Sequence, residues 1–124
     1  MKNTLILRGT VALILIIHGA GGMFNGGVNA FGTMYLDKVG FAPFGVALAW
    51  AVKLSHLIAA LSLLLNRYVK ITAIATILIL ITGIVMIHSK DGWFVVGGGR
   101  NGVEYNVLLI AVLVFLIRET KTKL

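Results

Sequence analysis

The sequence predicts an all-α fold, a membrane four-helix bundle with the N and C termini cytoplasmic, and three observations lead there. Of 124 residues, 59 % are hydrophobic and only 12 % charged, a balance that leaves too little polar surface to cover a soluble domain of this size. The apolar residues gather into four long runs separated by polar turns. Lysine and arginine are distributed unequally between the two sides those turns define.

Spanning a hydrocarbon core of roughly 30 Å takes about 20 helical residues. One transmembrane domain is expected over 1–124, with helices at about 4–24, 43–65, 71–88 and 102–118. The first is long enough if it begins near Thr4, with Arg8 carrying its charge to the headgroups along its apolar stem. A cleavable leader would share its basic start and the small residues Ala20 to Gly22, but the reading adopted is a retained helix. The second and third suffice unaided, and the fourth is short, as a span with a thinly solvated outer end would be. Residues 25–42 form an interfacial loop, in which Phe31, Met34, Tyr35, Leu36 and Phe41 mark a short amphipathic element. Residues 89–101 form a Gly-rich outer loop.

Orientation follows from the basic residues, which outweigh acidic ones in setting topology. Lys2, Arg8, Arg67, Lys70, Arg118, Lys121 and Lys123 fall on one side, Lys38, Lys90 and Arg100 on the other, and Lys53 within a span. This places the termini and the second turn in the cytoplasm and the protein, multi-pass, in the plasma (inner) membrane. The net charge of +7 does not imply nucleic acid, because the basic residues punctuate apolar runs instead of clustering beside aromatic readers. With no cysteine in the chain, disulfides, thiol catalysis and thiolate metal sites are excluded.

An ionisable side chain inside a span is costly and faces the interior or water. Lys53 lies ten residues beyond Pro43, about halfway across at ~1.5 Å per residue. Trp50 at i−3 and His56 at i+3 share its face. Antiparallel connectivity brings His18, His88, Glu104 and Tyr105 to the same outer half, with Trp93 in the adjoining loop. These eight residues are the ligand-binding candidates, and no catalytic residue is assigned. Lys53 has two open roles, an interhelical pair with Glu104 or a charge facing a cavity. Gly97, Gly98, Gly99, Arg100 and Asp91 form a structural loop that lets Trp93 and Phe94 fold over the outer mouth; with no Lys-Ser or Lys-Thr following, it is not a phosphate loop. No HxxxH or HxxE pair occurs on one helix, so no metal is expected.

Over about Arg8 to Arg118 the chain resembles the DoxX family of small four-helix membrane proteins. The resemblance rests on HGAGGMFNG at the end of the first helix, on GFAPF before the second, and on EY within GGGRNGVEYN. Two positions depart from the pattern: Gly22 stands where a basic residue is common, and His56 where an acidic one is. The resemblance implies a redox-associated membrane subunit, since some members serve quinone-linked oxidoreductases and others anchor oxidative-stress complexes. Distant animal relatives are assembly factors.

Two functions are therefore expected. In the first, a quinone or similar lipophile binds in the outer half of the bundle, and electrons come from a membrane oxidoreductase partner because no redox cofactor is encoded. In the second, the chain is a non-catalytic membrane scaffold or assembly factor whose small residues Ala59, Ala60, Ala73 and Gly83 contact a partner protein; membrane lipids and a homo-oligomer are the other partners expected. The charge asymmetry yields a direct test: with Thr122→Cys the thiol should be protected from impermeant reagents in intact cells, and with Asn101→Cys it should label. The reverse pattern overturns the orientation.

Overall fold

Why these runs become helices, and where each one stops, is decided by a few glycines and polar side chains at their ends. The computed structural model describes residues 3–95 and 102–120. Among them every regular element is helical: α1 (Leu5–Ala20), α2 (Gly27–Phe31) continuing into a widened π-type helix (Gly32–Phe41), α3 (Gly45–Leu65), α4 (Val69–Met86), a 3₁₀ turn (His88–Asp91) and α5 (Glu104–Glu119). Lys2, Gly97, Gly98, Gly99 and Arg100 lie outside the described residues.

The first helix is shorter than its apolar run, because the chain turns at Gly21 and Gly22 and closes with Met23 N–H donating to Ala20 C=O and Val28 N–H to Gly22 C=O. Within the 25–42 segment, expected as an interfacial loop with a short amphipathic element, residues 27–41 are helical. The segment turns out of its π-type stretch at Gly40, whose φ of 118° suits only glycine. The third helix ends on Asn66 in the left-handed region at φ 54°, with Arg67 N–H reaching back to Ser62 C=O at 3.1 Å in the manner of a Schellman closure.

Helix α1 packs chiefly on α3, α3 on α4, and α4 on α5, while α1 and α5 touch least. Their shared core is Val11, Ala12 and Leu15 from α1, Ala59, Ala60 and Leu63 from α3, Ala73 and Leu80 from α4, and Leu109, Leu113 and Leu116 from α5. A second, smaller core of Val28, Leu36 and Ala49 seats α2 and its π-type extension chiefly on α3.

Outside those cores the surface is apolar. Ile6, Ile17, Ile58, Leu61, Leu78, Val85 and Leu108 are all exposed. The two longest helices, α3 and α4, are long and apolar enough to cross a membrane, yet only 33 % and 22 % of their most apolar stretches are buried within the protein. A core helix of a soluble protein would be buried over most of its length, so these faces are matched to lipid.

One end of the assembly is held by a polar knot that departs from expectation. The Arg8 guanidinium donates to Leu63 C=O at 2.8 Å and to Thr4 Oγ1 at 2.9 Å, so it caps the carboxyl end of α3, where a cation is favoured; it was expected to reach the headgroups. Beside it the Ser62 hydroxyl donates to Arg67 C=O and accepts from Thr72 Oγ1. At the opposite end Asp37 Oδ1 accepts Gly45 N–H at 2.8 Å at the start of α3, and Tyr35 O–H donates to Met86 C=O at 3.1 Å at the end of α4.

Gly32 permits that second junction. A Cβ there would lie 2.5 Å from Val46 Cα and 2.6 Å from Val46 N, so the π-type helix and α3 touch backbone to backbone. Gly32→Ala should therefore destabilise by about 1–3 kcal/mol, the usual cost of overpacking. Gly9→Ala, with nothing within 4 Å of the new methyl, should be neutral or stabilising by up to about 1 kcal/mol. Thermal unfolding of both variants in detergent checks the pair.

Candidate functional site

The site begins with a glycine. A Cβ on Gly19 would lie 3.0 Å from Lys53 C=O and 3.0 Å from Leu57 Cδ2, tighter than a methyl ordinarily packs, so glycine lets α1 cross α3 more closely than a side chain there would. That crossing carries the preceding carbonyl, of His18, to the Lys53 ammonium, which donates to it at 3.2 Å. The same Nζ stands 5.9 Å from the centre of the Phe31 ring, within cation–π range. The His-Gly pair of the sequence is thus one joint: glycine for the approach, histidine's backbone for the bond.

Behind Lys53 the helices diverge around a cavity of about 460 Å³, within the roughly 300–1,000 Å³ common for ligand pockets. Leu15, Val52, Ile79, Leu80 and Leu109 give it aliphatic walls, and its polar side chains are His18, Lys53, His56, His88, Tyr105 and Asn106. Five of the eight expected ligand-binding residues, His18, Lys53, His56, His88 and Tyr105, line it. His56 is only 7 % exposed. Its Nδ1 and the Tyr105 hydroxyl are buried without a hydrogen-bond partner, each a deficit of about 1–3 kcal/mol in a protein interior. The rings of His18 and Tyr105 meet at 5.8 Å, where α1 and α5 come together.

The other three expected residues lie elsewhere. The Trp50 indole N–H donates to Asn29 Oδ1 at 2.7 Å and its ring packs on the small core beneath α2, so it anchors that segment. Glu104 accepts Val95 N–H on Oε1 at 2.8 Å and ties the incoming loop to the start of α5. Trp93 acts through its backbone: its carbonyl accepts Glu104 N–H at 3.0 Å while its ring, like that of Phe94, is exposed. Val95, Gly102 and Phe31 contribute to the cavity wall on this side, in place of the aromatic pair expected there. Asp91 sits in the 3₁₀ turn, and Gly97, Gly98, Gly99 and Arg100 lie outside the described residues.

Asn106 escaped the sequence reading. It is 4 % exposed, its Nδ2 donates to Leu80 C=O at 3.1 Å, and it faces Gly83, where a Cβ would come within 3.4 Å. An asparagine two residues beyond Glu104 in an apolar run was the available signal. Among the described residues, no group of three or more histidine and acidic side chains is arranged to hold a metal.

An all-helical chain with lipid-matched faces, two helices able to cross a membrane and a polar-headed cavity defines the class, a membrane protein. The model of the DoxX family matches residues 3–89, and the chain belongs to the DoxX family. That match covers α1 to α4 and leaves Tyr105 and Asn106 beyond it. No curated protein and no solved structure matched the chain.

Lys53 and Glu104 therefore have different partners. In thermal unfolding, Lys53→Met and Glu104→Gln should destabilise additively, with a coupling below about 0.5 kcal/mol. A double variant clearly less damaged than the two single changes predict would restore the ion pair.

Proposed function

We propose that the protein is a multi-pass, redox-associated subunit of the plasma membrane that binds a quinone or similar lipophile in its cavity. In this reading α1, α3, α4 and α5 all span, as a four-helix bundle with cytoplasmic termini and the cavity in its outer half. The observation that carries the reading is the pair of orphaned polar atoms, His56 Nδ1 and the Tyr105 hydroxyl, in a cavity that sets a few polar side chains against aliphatic walls. A quinone ring offers two carbonyl acceptors. The Tyr105 O–H donates to one, and the protonated nitrogen of His56, or Lys53, to the other. The aliphatic walls receive the tail.

The chain's own residues bind and orient; the bound quinone would supply the redox chemistry, with electrons arriving from a partner oxidoreductase. The scaffold alternative loses the surface first considered for it. Ala59, Ala60 and Ala73 are almost wholly buried in the protein's own core, and Gly83 faces Asn106 and the cavity.

A short-chain quinone should raise the melting temperature of the purified protein, and quinone should be extractable from it. Tyr105→Phe separates stability from binding: it removes a hydroxyl that has no bond to lose, so stability should hold or improve by up to about 1–3 kcal/mol, while the quinone-induced shift shrinks. An unchanged melting temperature with quinone in the wild-type protein would sink the proposal.

A further inference from the structure

The cavity carries a charge that no acidic group inside it answers. Lys53 makes one hydrogen bond there, to the His18 carbonyl, leaving the rest of an ammonium's three donors without a protein acceptor. The chain has four acidic residues, and the structure places each away from the cavity lining. Asp37 holds the start of α3, Asp91 lies in the 3₁₀ turn, Glu104 holds the Val95 amide, and Glu119 ends α5 at the far side of the assembly. The lining includes one lysine and no arginine, aspartate or glutamate among the described residues.

We infer that the cavity accepts the head of a singly charged anionic amphiphile, a long-chain carboxylate, with Lys53 as the residue that selects it. This rests on the reading of the cavity as a ligand site, and adds a second ligand class that competes with quinone for it. The choice of anion follows from the count of charges. The one ammonium among the described lining residues balances one negative charge; a phosphate monoester, at about −1.5 to −2 near neutral pH, would carry more than Lys53 neutralises. A carboxylate has two oxygens to share between donors. Lys53 meets one, and the buried Tyr105 hydroxyl and His56 Nδ1, both lacking protein partners, are the remaining polar atoms able to meet the other. The hydrocarbon tail lies against Leu15, Leu80 and Leu109, and enters where α1 and α5 touch least.

Three ligands tested on delipidated protein in a maltoside detergent decide the matter: dodecanoate, dodecanol of the same chain length, and a short-chain quinone. Dodecanoate should raise the melting temperature and bind at least about tenfold tighter than dodecanol, a difference assignable to its charge. Lys53→Met should abolish that preference while leaving dodecanol binding unchanged, and Lys53→Arg should retain it. Equal binding of dodecanoate and dodecanol to the wild-type protein would overturn the inference even if Lys53→Met failed to fold, and so would full dodecanoate binding by Lys53→Met. A quinone shift without a dodecanoate shift defeats the carboxylate and leaves the quinone reading standing. A dodecanoate shift without a quinone shift does the opposite, and neither shift defeats both.

Discussion

The close crossing of α1 and α3 at Gly19 is the constraint on which the rest of the structure depends. Two helix backbones approach this far most readily where one lacks a side chain, and here the approach puts a backbone carbonyl within reach of the half-buried Lys53. The bond gives Lys53 a partner without neutralising it. The polar side chains of the cavity are then arranged around a charge that remains.

The two ends of the assembly are secured by different means. At the basic end, Arg8, Ser62, Arg67 and Thr72 satisfy the open carbonyls at the end of α3 and the turn that follows, as apolar surroundings require. At the other end, the α2 segment caps two helices at once, through Asp37 on the start of α3 and Tyr35 on the end of α4. Its Phe31 also forms part of the cavity wall. The segment between the first two long helices is thus both a clamp and a lid, and its seat is the backbone contact at Gly32. Between the ends, Asn106 ties α5 to α4 from inside, so the wall that carries Tyr105 is fixed in depth and rotation.

Composition and the spacing of apolar runs determined the all-helical class, because long unbroken apolar runs satisfy their backbone in lipid as helices, whereas barrel strands are short and alternate apolar with polar residues. They also pointed to a set of polar and aromatic residues gathered in one half of the bundle, of which Lys53, His56, His18, His88 and Tyr105 line one cavity and Trp50, Trp93 and Glu104 do not. Polar partners were not legible in the sequence. Trp50 shares a helical face with Lys53, yet Asn29, on an element whose packing no periodicity revealed, draws its indole away. Glu104 was a plausible counter-ion until the loop before α5 brought the Val95 amide to it. Only the tertiary structure decided these pairings, because a hydrogen bond depends on ångström-scale approach between segments far apart in the chain, while burial depends on a pattern already written along it.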